Sequence, residues 1–202
     1  QAEEALKIAV ISSCVFPCPP VGYSGLEMLA WQQAEGLGKK GHEVTLVVPA
    51  RGALTAWWRN VRRRGPRWIG DFRPSVAWVN EWSADGLPNA DALVATAWQS
   101  ARSVRDAPAR CGAKFYLIQH YESLYHGEPA RVDETYRLPL RKIVISTWLA
   151  GLMRDALSIG MRDRARASTF RALLLESIGG SLVDFYRAHI RARKSGGVPP
   201  IS

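Results

Sequence analysis

The sequence predicts an α/β fold, a parallel sheet with helices on both faces, followed by a long C-terminal helical segment that packs back on it. Two short runs, at residues 7–13 and 43–48, are apolar and rich in β-branched residues, which is typical of strands buried on both faces. Further strand candidates alternate with amphipathic stretches, the order expected of a parallel sheet. After residue 157 the pattern changes to helical spacing without a strand signal.

The first fifty residues predict one strand–loop–helix–strand unit. Residues 25–39 have apolar positions at helical spacing, and Gly41 follows where a left-handed helix cap is favoured. Gly22 and Gly25 in the loop can adopt positive φ and let a ligand approach the backbone. Since the next helix points free N–H groups at this loop, a phosphate would be stabilised there. A purely structural turn explains the glycines equally well, because the spacing Gly-x-Gly-x-x-Gly is absent.

The remaining elements of the sheet follow in order. Residues 50–74 are basic, aromatic and interrupted by Gly65 and Pro66, which indicates an excursion with a short helix at 54–63. We therefore predict a Rossmann-like domain over residues 5–157. Its further strands are predicted at 76–79, 92–95, 114–118 and 142–145, and its further helices at 98–105, 130–137 and 147–155.

The C-terminal part is predicted to be helical. Residues 158–194 carry an apolar stripe from Met161 to Ile190 that includes Leu173 and Leu174 and is interrupted by two glycines. Such a stripe needs a surface to bury it, and the sheet domain is the available one. The Gly- and Pro-rich residues 195–202 are predicted to form a flexible tail.

Composition indicates a globular domain without a membrane-spanning helix or a disulfide framework. The hydrophobic share of 47% is that of a globular domain, and no apolar run is long enough for a membrane-spanning helix. The acidic start is unlike a secretory signal, and three cysteines cannot form a disulfide framework, so a cytoplasmic location is expected. Cys14 and Cys18 have no second Cys or His pair nearby, and no metal site is predicted.

Residues 57–68, the basic tryptophan segment, carry much of the net charge of +9. Tryptophan interleaved with arginine suits an anionic membrane surface, where Trp lies at headgroup level and Arg binds phosphate. A peripheral location on the inner face of the membrane is one expectation, and a solvated basic loop is the alternative. Nucleic acid, bound through counterion release, is a less favoured partner. The candidate residues are Trp57, Trp58, Arg62, Arg63, Arg64, Arg67 and Trp68.

Several motifs, in this order, resemble the bacterial retaining glycosyltransferases of family four, which have the two-domain GT-B fold. The similarity covers most of residues 7–155. It implies transfer of a sugar from a nucleotide-diphosphate sugar to an acceptor hydroxyl with retention, without a cofactor besides that donor substrate. The motifs are Lys7-Ile-Ala-Val-Ile-Ser12 with the Gly-rich loop and its glutamate, Gly41-His-Glu-Val-Thr45, Asp91-Ala-Leu-Val-Ala-Thr-Ala-Trp98, Phe115-Tyr-Leu-Ile-Gln-His-Tyr-Glu122 and residues 135–146.

The resemblance fails in the C-terminal domain, which supplies most of the nucleotide-sugar site in that family. The chain has no Asn-Gly-Val-Asp entry strand, no Gly-Arg…Lys phosphate clamp and no glutamate-rich donor loop. Residues 162–167 and 182–187 resemble the final helices of such enzymes, which cross back onto the N-terminal domain. We therefore expect an acceptor domain plus its closing helix, and a second chain that supplies the donor domain is a candidate partner.

The resemblance also implies roles for individual residues. Gln119 and His120, at the end of a buried strand, form the candidate catalytic pair; many family members have His-Asp there, and that His contacts the donor sugar. The cleft loop near the donor diphosphate comprises Gly22, Tyr23, Ser24 and Gly25. Candidates for binding a glycan or lipid-linked acceptor are Glu27, Thr96, Trp98, Tyr121 and Glu122.

Alternatives remain open at the level of the sequence. Glu27 equally suits a carboxylate that complements the helix dipole, and Trp98 equally suits the core. A non-catalytic module that binds a glycan, a lipid or a protein is the alternative function.

Overall fold

The computed structural model describes residues 5–13, 25–50, 52–62, 74–80, 83–84, 86–124, 127–158 and 173–174. These residues form one seven-stranded sheet of order β3-β2-β1-β4-β5-β6-β7, in which every pairing is parallel. The predicted α/β class is therefore confirmed. The strands are β1 (Lys7–Ile11), β2 (Glu43–Ala50), β3 (Ser75–Asn80), β4 (Ala92–Ala95), β5 (Ala113–Ile118), β6 (Arg141–Val144) and β7 (Leu173–Leu174).

Five α-helices accompany the sheet in the described part of the chain. They are α1 (Gly25–Lys39), α2 (Ala53–Arg62), α3 (Trp98–Asp106), α4 (Pro129–Tyr136) and α5 (Thr147–Ser158), and two short 3₁₀ helices lie at Ala109–Cys111 and Glu122–Leu124. No helix among the described residues has the length and apolar character needed to cross a bilayer.

The helices cover both faces of the sheet, as predicted. Along β1, successive side chains alternate between the two faces. Ile8 and Val10 pack in a core that includes Ala30 and Leu37 of α1. Ala9 and Ile11, which alternate with them along the strand, point to the opposite face. The core on that face includes Ala101 and Val104 of α3, Val132 and Tyr136 of α4, and Leu149 and Met153 of α5.

The strand order reverses between β1 and β4. From β1 the chain passes through α1 to β2 on one side, and from β4 it passes through α3 to β5 on the other side. The connections therefore diverge and leave a crevice at the carboxyl ends of these two strands. The Thr96 hydroxyl, just beyond β4, donates a hydrogen bond of 2.7 Å to the carbonyl of Ile11 at the end of β1. This bond joins the two strand ends at the crevice.

Two glycine predictions have different outcomes. Gly41 has φ of 88°, which confirms the predicted left-handed cap after α1. Gly25, which could adopt a positive φ, does not have one, because it is the first residue of α1 and the chain is already helical there.

The prediction that no strand follows residue 157 is wrong at Leu173 and Leu174. These residues form β7, which pairs in parallel with Ile143 and Val144 of β6. A two-residue strand is too short to show an alternating pattern, which is why the helical spacing around it dominated the interpretation. The rest of segment 159–194 and the tail at 195–202 lie outside the described residues.

Gly112 should be essential for the turn into β5. Its φ of 72° and ψ of −148° lie in a region that only glycine adopts readily, and a Cβ there would lie 2.2 Å from the carbonyl oxygen of Asp91. We expect Gly112→Ala to lower the free energy of unfolding by about 1–3 kcal/mol through backbone strain, and by more through the collision. Urea denaturation followed by circular dichroism measures this.

Gly36→Ala is the matched control for Gly112→Ala. Gly36 lies inside α1, and a Cβ there meets nothing within 4 Å. The control should leave stability unchanged or raise it by up to about 1 kcal/mol. Equal effects of the two substitutions would contradict the role given to Gly112.

Candidate functional site

A buried carboxylate lies at the end of β1, beside the crevice. Glu27, in the first turn of α1, is fully buried, and the hydroxyl of Ser13 donates a hydrogen bond to its Oε1. Ser12 and Ser13, which follow β1 directly, are also fully buried. The position of Glu27 near the helix N-terminus favours the dipole role. The same position places it at the sheet edge where an acceptor hydroxyl is expected.

Hydrogen bonds tie the ends of β4 and β5 to the end of β1. Thr96 is fully buried and bonds Ile11 through its hydroxyl. Its carbonyl accepts a bond of 3.1 Å from the side-chain amide of Gln119, the first residue after β5. The Thr96 and Gln119 side chains therefore hold three neighbouring strand ends in place. His120 follows Gln119 at the same edge and is half-buried.

Glu122 sits in a second polar cluster behind the crevice, the Glu122 cluster, formed with Tyr116, Tyr136 and the backbone of Trp98. Its carboxylate accepts bonds from the Tyr116 hydroxyl at 2.8 Å and the Trp98 backbone N–H at 3.1 Å. Its own N–H donates to the Tyr136 hydroxyl at 2.8 Å. Burial raises the pKa of Glu122 from 4.5 to about 7, against the opposing effect of the two hydrogen bonds.

Opposite charges stabilise the two ends of α3. Trp98 is its first residue, so the Glu122 carboxylate satisfies a free N–H at the positive end of the helix dipole. At the other end, the Lys114 ammonium donates to the carbonyl of Arg105 at 2.7 Å and to that of Ala107. Lys114, near the start of β5, and Glu122, after its end, therefore fix α3 on the sheet.

Tyr121 contributes to packing between β5 and α4. Its ring stacks on Tyr136, with centroids 5.8 Å apart, and Tyr136 stacks in turn on Tyr116 at 6.1 Å. The Tyr121 hydroxyl donates to Asp133 at 3.1 Å. Burial raises the pKa of Tyr136 above its ordinary range, so its hydroxyl stays protonated at physiological pH. Tyr121 and Glu122, predicted to bind an acceptor, are thus engaged within the fold.

Trp98 packs as part of the core rather than as an open platform. Its half-buried side chain lies against the core on the α3 face. Gly127, with φ of 81°, approaches the indole so closely that a Cβ there would lie 2.8 Å from Cζ2. The indole N–H has no hydrogen-bond partner among the described residues.

Of the remaining predicted site residues, some are described and the others lie outside the described part of the chain. Gly25 is described, and a Cβ at this position would meet no atom of the described residues within 4 Å, so these residues leave space open beside the start of α1. Trp57 and Trp58 lie in α2 and are exposed, and Arg62 is the last residue of that helix. Outside are Gly22, Tyr23 and Ser24 of the cleft loop, and Arg63, Arg64, Arg67 and Trp68 of the basic tryptophan segment.

Sequence reasoning missed the residues that support the site. Tyr116 lies in an apolar strand run and looks like any buried aromatic, although a buried Tyr hydroxyl needs a partner and thereby signals a polar contact. Ser12 and Ser13 stand directly after a buried strand, the position from which site residues project in α/β sheets. Across the described residues, no group of three or more His, Cys, Asp or Glu side chains is arranged to hold a metal ion.

Comparison with known proteins finds no family model that matches this chain and no curated protein with a significant sequence match. Function is therefore inferred from the crevice at β1 and β4 and from the sequence motifs.

The raised pKa of Glu122 predicts a specific pH dependence. Between pH 4.5 and about 7 the folded state keeps a proton that the unfolded state releases, so stability is full below this window and falls as pH rises through it. The loss is on the order of 3 kcal/mol, at about 1.4 kcal/mol per pKa unit. Glu122→Gln should flatten this dependence, because an amide stays neutral and can still bond Trp98 and Tyr116. Urea midpoints from pH 4 to 8 measure it.

Glu43→Gln is the control for this series. Glu43 is exposed and pairs with Lys7 at 3.7 Å, an arrangement that contributes little to stability. This variant should follow the wild-type pH profile. A Glu122→Gln profile parallel to the wild type would refute the assignment of the titration to Glu122.

Proposed function

We propose that the chain is the acceptor-side domain of a retaining glycosyltransferase of the GT-B type. It would act on a nucleotide-diphosphate sugar and a glycan or lipid-linked acceptor, in the cytoplasm. The observation that carries this proposal is the crevice where the strand order reverses between β1 and β4. In open α/β sheets ligands bind at such a crevice. Two of the motifs that resemble family-four glycosyltransferases, at residues 7–12 and 91–98, contain β1 and β4 with the residues that follow them at the crevice.

The start of α1 is the proposed contact for the donor diphosphate. Free N–H groups at a helix N-terminus and the positive end of its dipole stabilise an anion. The open space beside Gly25 gives a phosphate room to approach this backbone. Such preorganised donors would stabilise the charge that develops on the leaving diphosphate.

The residues after β1 and β5 are the proposed contacts for the two sugars. His120 directly follows Gln119, whose side chain bonds the Thr96 carbonyl, so its backbone lies at the crevice edge and His120 is the proposed contact for the donor sugar. Glu27, held by Ser13, is the proposed hydrogen-bond acceptor for the attacking hydroxyl. Catalysis would then consist of positioning the two substrates and stabilising the leaving group.

A separate donor domain would supply the contacts to the base, the ribose and most of the diphosphate. The described residues offer one anion contact at α1 and none of the family's donor-domain motifs. A non-catalytic glycan-, lipid- or protein-binding module is the second candidate, because Thr96, Gln119, Tyr121 and Glu122 are all hydrogen-bonded within the fold.

The isolated chain should bind nucleotide sugars weakly and transfer none. A single diphosphate contact corresponds to a dissociation constant of roughly 1 mM, or about 4 kcal/mol. Gly25→Val should abolish this binding because its side chain fills the space beside α1. Calorimetric titration with uridine and guanosine diphosphate sugars tests both statements. When a partner supplies the donor domain, Glu27→Gln should mainly raise KM for the acceptor.

Gly151→Val is the matched control, because Gly151 lies in α5 and a Cβ there also meets nothing within 4 Å. It should bind nucleotide sugars like the wild type. Micromolar affinity or steady turnover by the isolated chain would contradict the missing donor domain. Binding of a glycan without any nucleotide-sugar binding would favour the non-catalytic module.

A further inference from the structure

Helix α2 exposes its large apolar side chains to solvent. Leu54 is 69% exposed, Trp57 55% and Trp58 46%. These residues are spaced three and four apart, so they share one face of the helix. Ala56 is buried. Among the side chains of α2 that the structure describes, at residues 54–58, the buried one is therefore small and the large apolar ones face outward, the reverse of an ordinary amphipathic surface helix.

The exposed residues form one patch rather than scattered positions. The rings of Trp57 and Trp58 meet edge to face, with centroids 5.4 Å apart. Leu54 precedes Trp57 by nearly one turn on the same face. Single exposed hydrophobic residues are common on soluble proteins, but a contiguous patch of them marks an interaction surface.

The charge around this patch identifies the partner. Residues 51–70 contain six arginines and no acidic residue. Two of these arginines, Arg59 and Arg62, belong to α2 itself. Tryptophan and leucine beside arginine suit the boundary between anionic headgroups and acyl chains. We propose that α2 docks the protein on an anionic lipid membrane.

The same features argue against other occupants. Nucleic acid would attract the arginines and could stack on tryptophan, but Leu54 offers nothing to a base or a phosphate. A second copy of the chain carries the same six arginines at 51–70, so a symmetric contact through α2 would bring like charges together. An anionic lipid surface satisfies both the apolar patch and the charge.

The place of α2 in the fold connects docking to the candidate site. α2 follows the carboxyl end of β2, and β2 lies beside β1. The helix therefore begins at the sheet edge that contains the crevice. If the proposed transferase function holds, this geometry favours an acceptor hydroxyl presented from the membrane. The docking itself does not depend on that function.

Vesicle sedimentation of the whole chain, without any sugar, tests the docking. Vesicles of equal parts phosphatidylcholine and phosphatidylglycerol are compared with pure phosphatidylcholine. The wild type should bind the anionic vesicles and lose binding as salt rises. The double variant Leu54→Ser with Trp57→Ser should bind at least tenfold more weakly. Replacing Arg59 and Arg62 by Ser should weaken binding about fivefold per charge.

Leu124→Ser with Trp148→Ser is the matched control, since this Leu is 61% and this Trp 63% exposed outside α2. It should bind like the wild type, and circular dichroism should show all three double variants folded. The proposal is overturned if no binding to anionic vesicles occurs at low salt, or if the Leu54/Trp57 variant and the Leu124/Trp148 variant lose binding equally. Tighter binding to a single-stranded oligonucleotide than to vesicles, or a lipid-free dimer that only the α2 variant dissociates, would equally overturn it.

Discussion

Burial of β1 on both faces is the constraint on which the rest of the structure depends. Ile8, Ala9, Val10 and Ile11 are each at most 2% exposed, so the strand has no side that tolerates water. Burying each large side chain contributes about 1.5–3 kcal/mol, which only a central position with helices on both faces provides. That position puts β2 on one side of β1 and β4 on the other. The crevice is a consequence of this arrangement.

Two polar networks position the elements around the crevice. The bonds from Thr96 to Ile11 and from Gln119 to Thr96 align the strand ends. The Glu122 carboxylate fixes the start of α3 through its hydrogen bond to the Trp98 N–H. Because this carboxylate is buried, its pKa is raised. These side chains hold the strand ends and α3 in place, whereas the start of α1, Glu27 and His120 are the proposed contacts for the substrates. This division separates positioning residues from contact residues.

The sequence predicted what depends on local pattern. β1 and β2 were identifiable because their runs are apolar throughout, and Gly41 because a helix end favours a left-handed glycine. The Glu122 cluster could not be identified from the sequence, since Glu122 looks like a surface glutamate. Its contacts with Tyr116 and Trp98 arise only when the sheet assembles. β7 was missed because two leucines in a helical spacing carry no strand signal.

The proposed function requires that the diphosphate of a nucleotide sugar bind in the crevice between β1 and β4. Titration of the ¹⁵N-labelled chain with a nucleotide sugar, followed through backbone amide shifts by NMR, tests this binding. We expect shifts concentrated at Ser13, Gly25 and His120, at millimolar ligand concentrations. Shifts concentrated at the opposite edge of the sheet, around Leu6 and Asp91, or none at all at such concentrations, would contradict it.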